Sequence, residues 1–322
     1  MADPRLQPTP DYGTLGPGSD VEKTSAPCSA SQSVNARRFA PVFAVAAGVL
    51  LAILTANAGT ARAAWSSFAN LFSAPAAPVA STKALHQLDR MKPQKQAEAL
   101  LELAVTHKDG AVDQISSRVG RWQGKVKWDS QIATLTTAAL NSNDMRVRES
   151  GIEVELAAYG LAKNSTSLNY LLQTADSPDH AQRIWALWAL GLMANRGVDA
   201  DHVVQVLIGH LKDADEDSRR WAAEGLALSG SGQAIEPLLK AMHDDPAASV
   251  RERAACGLAE SGMFTREQRR TAVPQLLAFS DDPSLDSQTQ GWAFQALGDI
   301  TRQRLPHDSI AWRSWYESAK GD

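Results

Sequence analysis

The sequence predicts an all-α protein in which helical hairpins stack into an α-solenoid. The segment 218–227 (SRRWAAEGLA) returns at 250–259 (VRERAACGLA), and the stretch 237–246 returns, more loosely, at 274–283, an offset of 37. The first of these patterns is anchored by residues spaced 35, 36, 32 and 39 apart, namely Arg148, Arg183, Arg219, Arg251 and Gln290. No segment keeps the period of two that predicts strands. Self-similarity at this spacing indicates two-helix units, each too small to bury its apolar face alone.

The chain begins with a segment that predicts disorder. Residues 1–38 contain five prolines and several glycines and serines, and they show no apolar period. Such a composition cannot bury enough surface to offset the entropy of ordering the chain. We therefore expect a disordered tail over 1–38.

An apolar segment follows the tail. No charged residue occurs from Phe39 to Ala61, and ~20 apolar residues suffice for a helix that crosses a bilayer. We expect a transmembrane helix at 39–59. The alternative is a cleaved signal peptide, because Ala61-Arg62-Ala63 resembles a cleavage site. The long leader favours the uncleaved helix. Arg37 and Arg38 favour a cytoplasmic N-terminus, which places the rest of the chain on the exoplasmic or periplasmic side.

The remaining chain divides by composition and period. Residues 60–82 are rich in Ala, Ser and Pro and predict a semi-extended linker. An N-terminal helical region that caps the array is expected at 83–143, with Pro93 in a first helical turn. The repeats occupy 144–301, and an aromatic helix at 302–322 closes the array. Asp217 and Ser218 are expected to cap the helix that follows them, because their side chains accept the first backbone N–H groups.

At this point the chain resembles the HEAT-repeat family, including its bacterial phycobilisome-lyase-like members. The resemblance rests on Pro237 and Pro274 in the first helix of a unit and on the Val-Arg-x-x-Ala-Ala-x-x-Leu opening of the second helix. It rests also on the acidic turns marked by Asp213, Asp244 and Asp281. The resemblance implies that second helices line a concave surface. It also implies that turn aspartates pair with Arg183, Arg219 and Arg251 of neighbouring units, and that Gln290 marks a terminal unit.

One acidic turn imitates a calcium loop. Asp213, Asp215, Asp217 and Glu224 stand at positions one, three, five and twelve of such a loop. Its sixth position is Ser218, however, where the sharp turn requires glycine, and two arginines follow. We therefore interpret the segment as an inter-helix turn and not as a metal site.

The sequence offers little chemistry beyond this. None of the seven histidines forms an HExxH pair, and no nucleophile elbow or phosphate-binding glycine motif occurs. The net charge of −4 gives no general reason to bind nucleic acid. We predict no catalytic, cofactor or metal site, and no enzymatic activity.

Tryptophan and arginine on the second helices are the candidate binding residues. Trp and Arg are enriched at interface hot spots, and five of them carry the hypothesis: Trp185, Trp188, Arg219, Arg220 and Trp221. The alternative is that the tryptophans only fill the core between repeats. We predict a membrane-tethered scaffold that binds a protein or peptide partner on its concave surface. The alternative function is an enzyme accessory, or a lyase-like protein, that binds an organic cofactor in the same groove.

Overall fold

A computed structural model describes residues 88–319, and every regular element in that range is helical. The predicted tail, membrane helix and linker lie outside the described residues. None of the described helices is both long enough and apolar enough to cross a bilayer. In chain order we number the helices α1 Pro93–Val105, α2 Ala111–Trp122, α3 Ser130–Leu140, α4 Met145–Ala158, α5 Ser165–Ala175, α6 His180–Asn195, α7 Ala200–His210, α8 Glu216–Ser229, α9 Ile235–Asp244, α10 Ala248–Cys256, α11 Arg266–Arg270, α12 Val273–Phe279, α13 Ser287–Thr301 and α14 Ser309–Ala319.

Consecutive helices pair as hairpins, and the hairpins stack. The pairs are α1 with α2, α3 with α4, α5 with α6, α7 with α8, α9 with α10, and α12 with α13; α14 packs against α12. The second helices α6, α8, α10 and α13 contact one another in sequence, and we call these four helices the inner row. The predicted boundary at residue 144 falls between the two helices of one hairpin, so α4 pairs with α3 and stacks on α2.

Aspartates in the turns start the second helices. Asp179 accepts the backbone N–H of Gln182 at 3.0 Å, and Asp286 accepts that of Thr289 at 2.8 Å. Such a bond satisfies a donor that the first turn of a helix leaves without a partner. For α8 the prediction was wrong by two residues: Asp215 is the cap, and Asp217 and Ser218 lie inside the helix.

Glycines bring α6 and α8 into close contact. A Cβ built on Gly191 would lie 2.6 Å from the Cα of Gly225 and would overlap its carbonyl oxygen. A Cβ on Gly225 would lie 2.5 Å from the carbonyl oxygen of Leu187. Because no side chain separates the two backbones here, the helix axes approach more closely than ridge-into-groove packing of larger residues allows.

The described chain has two apolar cores, and α4 contributes to both. Val147, Val154 and Ala157 belong to a core built with α1, α2 and α3. Ile152 and Leu156 belong to the larger core that runs through the repeats to α14. Two apolar stripes on one helix mean that both faces are covered, so α4 lies buried between the N-terminal hairpins and the rest of the array.

Candidate functional site

Arginines near the start of the inner-row helices connect one repeat to the next. Arg219 binds both carboxylate oxygens of Asp245, at 2.8 and 3.1 Å, and Arg251 binds Asp286 at 2.7 Å. Arg183 lies 3.4 Å from Asp215. Each of the three also donates to the carbonyl six residues before it. Each arginine therefore fixes its own turn and the start of the next inner helix. The pairing that the family resemblance implied for these arginines is present.

We call these arginine–aspartate pairs between successive repeats the ladder. Its aspartates are Asp215, Asp245 and Asp286, and they differ from the aspartates that marked the acidic turns in the sequence. Asp213 instead contacts the His210 ring at 2.9 Å, and Asp281 pairs with Arg313 of α14. Asp215 and Asp286 are the N-caps of the next inner helices, and Asp245 is the C-cap of α9, three residues before α10 begins. Asp213 and Asp281 remain at the outer edge of the turns.

The last repeat lacks the arginine and does not extend the ladder. Gln290 on α13 donates to the carbonyl of Asp282 at 2.8 Å and makes a longer contact with the carbonyl of Leu285. These acceptors lie in its own turn. The contacts fit a terminal unit, since the next element, α14, packs against α12 and does not add an inner helix.

His243 bridges the end of α9 and the turn after α12. The His243 ring lies between Asp244, at 2.5 Å, and Asp282 of the next repeat, at 3.1 Å. The hydrogen bond with Asp244 and the contact with Asp282 raise the pKa of His243. Hydrogen bonds from Ser284, followed by the contact with His243, lower the pKa of Asp282 to about 2. The bridge is therefore strongest while the imidazole is protonated.

The predicted binding residues do not form an open aromatic groove. Trp185 and Trp188 are each 5% exposed and Trp221 is 3% exposed. The guanidinium of Arg220 lies 5.2 Å above the Trp221 ring, and Arg219 is engaged by Asp245. The two arginines are the partly accessible members of the set, whereas the tryptophans lie in the core between helices.

The inner row is covered by α4, which runs in the opposite direction to α6. Glu149 and Glu153, in the first two thirds of α4, contact Arg196, which follows the last residue of α6. At the other end, the Tyr159 ring meets Trp188, near the middle of α6, edge-on at 5.5 Å. In a regular array the second helices run parallel. Here α4 instead crosses the row from its carboxyl ends toward its middle.

The surface that α4 covers extends beyond α6. Arg148 of α4 donates to the carbonyl of Gly262, after the end of α10, at 3.2 Å. Burial raises the pKa of Glu155 to about 8, against the lowering effect of a hydrogen bond with Thr136 of α3 and with a smaller contribution from the nearby charge of Glu224 on α8. Arg253 of α10 in turn holds Glu224 at 3.2 Å. The covered surface thus includes parts of α6, α8 and α10, and Glu155 is predominantly protonated at neutral pH.

The face of the row past the end of α4 is less covered. Arg220 stands four residues before Glu224, which puts the two side chains on one face of α8. Its side chain is 19% exposed. On the opposite side of the array, Leu211 and Ala241 form part of the apolar lining of an open cleft of about 650 Å³ between α7 and α9, which Lys212 and Lys240 border. Of the five predicted binding residues, Arg219 is the one that also lines this cleft.

One family model and several solved structures are similar to parts of this chain. A family model described as HEAT repeats matches residues 168–259. No curated protein matches the chain. Among solved structures, an engineered protein from a structural genomics consortium is 19% identical, covering 68% of this chain and 96% of its own, with a TM-score of 0.33. A designed armadillo repeat protein is 17% identical, covering 63% and 99%, with a TM-score of 0.31. The stacked hairpins define an α-helical repeat protein, and its segment 168–259 is similar to HEAT repeats.

Proposed function

We propose that this chain is a membrane-tethered scaffold that binds a protein partner on the concave side of its repeats. Helical repeat arrays commonly present extended surfaces for protein binding. The observation that carries the proposal is that the inner row already holds a helix, α4, through the side chain of Arg196 after α6 and the backbone carbonyl of Gly262 after α10. A surface that accepts a helix of its own chain has the shape and polar groups to accept one from a partner. Kinship with bacterial phycobilisome-lyase-like repeats is part of the same proposal.

The alternative, an organic cofactor in the groove, has less support. Such ligands need a concave and mostly apolar pocket. The surface on which a cofactor would lie is covered by α4, and Glu149, Glu153 and Arg196 contribute charge along its edge. We therefore favour a binding protein without enzymatic activity, whose partner is a protein and not a nucleic acid.

Photo-crosslinking tests the binding surface. A photoreactive residue is placed at Arg220, on the open part of the inner row, in the full-length chain in native membranes. The matched control carries it at Leu103, which is 38% exposed on α1. The proposal expects a discrete protein adduct from position 220 and none from position 103. Adducts from both positions alike, or from neither, would refute binding on this surface.

The membrane tether has a separate test. The proposal is supported by the uncharged run over 39–59, which is long enough to span a bilayer. We expect the full-length chain to stay with the membrane after alkaline extraction, and a variant lacking 39–59 to be released. Release of the full-length chain would contradict the tether. Protease added to the exoplasmic side, with cells intact, tests the orientation, which places the repeats on that side.

A further inference from the structure

We propose that the inner row recognises an acidic amphipathic helix, and that α4 is a built-in competitor for that helix. The inference rests on the proposed function, because it specifies which partner the concave side binds and what must move first. It follows from the charges between α4 and the row, from the imperfect way in which α4 is accommodated, and from the separate core of the N-terminal hairpins.

The charges select a carboxylate pair one helical turn apart. Glu149 and Glu153 stand at i and i+4, and so lie on one face of α4. Glu153 accepts from the guanidinium of Arg196 at 2.8 Å, and Glu149 lies 3.4 Å from the same group. The Arg196 side chain is 23% exposed and that of Glu153 is 8% exposed, whereas that of Glu149 is 45% exposed. The shielded Arg196–Glu153 pair discriminates strongly against a partner of the wrong charge, and Glu149 adds a weaker contact at its edge.

The same interface accommodates α4 imperfectly. Glu155, two residues after the pair, is 1% exposed, and its Oε2 atom has no hydrogen-bond partner among residues 88–319. The Oδ1 atom of Asn195, at the end of α6, is likewise buried and without a hydrogen bond in the described chain. A buried polar atom left without a partner weakens the contact that buries it. A helix with the same carboxylate pair but an apolar residue at the place of Glu155 should therefore bind more tightly than α4 does.

The N-terminal hairpins have a core that can survive separation from the row. Leu100, Ile115, Trp122 and Ile132 are all fully buried within α1–α3 and pack with the first stripe of α4. Separation of α1–α4 from the row would expose the second stripe of α4 together with Leu140 and Met145, and the face of the row that they cover, but it would leave the core of α1–α3 intact. The competitor can therefore leave as one body, without unfolding of either part.

A labelled peptide tests the inference in the full-length protein. The probe has the sequence of residues 144–159 with Glu155→Leu, and its binding is followed by fluorescence anisotropy. The protein variant carries Glu149→Lys and Glu153→Lys, which repel Arg196 and free the row. We expect the probe to bind this variant at least tenfold more tightly than the unmodified protein. A probe that itself carries Glu149→Lys and Glu153→Lys should bind neither protein.

A charge change of α4 away from the row is the matched control. Arg146→Glu breaks the exposed ion pair of α4 with Asp113 on α2, and this variant should bind the probe as weakly as the unmodified protein does. Equal binding of the probe to the unmodified and double-lysine proteins would overturn the inference, and so would no binding to the latter. Where the double variant does not fold, Glu149→Lys alone decides. It keeps the bond that Arg196 donates to Glu153, and it should improve probe affinity at least threefold.

The two proposals fail in different ways. If the freed row binds the probe but position 220 gives no protein adduct, the competition between α4 and an acidic helix is supported, and the proposal that the row binds a protein partner in the cell fails. If position 220 gives an adduct but the probe shows no preference for the double variant, a partner binds the row without displacing α4, and the inference fails.

Discussion

The close contact between α6 and α8 predicts that Gly191→Ala destabilises the repeats. The added Cβ would lie 2.6 Å from the Cα of Gly225, whereas ordinary contact begins at 3.4 Å. The obstacle is backbone, so the two helices must separate by nearly 1 Å. Overpacking of this kind costs ~3 kcal/mol at the upper end of its usual range, and the better helix propensity of alanine offsets up to ~1 kcal/mol. We expect a net loss of about 2 kcal/mol.

Thermal unfolding followed by circular dichroism at 222 nm measures this loss. For a folded region of this size, about 2 kcal/mol lowers the melting temperature by ~4–8 °C. The control is Gly209→Ala on α7, where an added Cβ meets no atom within 4 Å; its melting temperature should stay constant or rise. The reasoning is refuted if Gly191→Ala melts at or above the unmodified protein, or if the two variants shift together.

Three further variants test the ladder, the covered carboxyl group and the closing helix. Arg219→Ala leaves the Asp245 carboxylate, 5% exposed, without its bidentate partner, and should lower the free energy of unfolding by ~2–4 kcal/mol in chemical denaturation. The control, Arg313→Ala, breaks an exposed pair and should lower it by less than ~1 kcal/mol. Equal losses would contradict the ladder. Because the folded-state pKa of Glu155 is raised to about 8 from 4.5, its contribution is fully present below pH 4.5 and declines as the pH rises through 8, by at most ~1.4 kcal/mol per pH unit. The Glu155→Gln protein should lack that decline, so the difference between its stability curve and that of the unmodified protein should change steadily from pH 5 to 8; parallel curves would contradict the prediction. Trp312→Ala, which deletes a side chain 1% exposed, should cost ~3–5 kcal/mol and make α14 sensitive to limited proteolysis, and unchanged cleavage would contradict its closing role.

The stacking of the repeats could be predicted from the sequence because each unit repeats its own packing. The segments 218–227 and 250–259 place small residues at the same helical positions, and the matching glycines, Gly225 and Gly257, both lie close to the preceding inner helix. The arginine of each segment could be identified for the same reason. Its aspartate partner could not, because several acids share every turn. Only the path of the chain decides that Asp245, and not Asp244, faces Arg219.

The burial of the tryptophans shows why the candidate site was harder to predict. Sequence places Trp185 and Trp188 on an inner helix, and this position is compatible both with an open groove and with a packed interior. What covers them is an element more than twenty residues away in sequence, through Tyr159. Local patterns report which face of a helix is apolar, and they do not report which partner covers that face. The partner-binding role of this set therefore stays a prediction, to be decided by crosslinking from Arg220.

The direction of α4 is the feature of the fold that is hardest to predict from local sequence. Arg148 stands in the frame of the ladder and, like the other arginines, donates to the carbonyl six residues back, that of Ser142. A residue that fixes its own turn looks the same whichever way its helix then packs. One sign of the reversal was present nevertheless, since Ile152, Glu155, Leu156 and Tyr159 form a second stripe at i, i+3, i+4 and i+7. A helix with two stripes must be covered twice, and an acid within the second stripe marks a contact that was not optimised for burial alone. That combination is what a displaceable helix requires: enough apolar surface to bind the row, and a polar defect that lets a better ligand replace it.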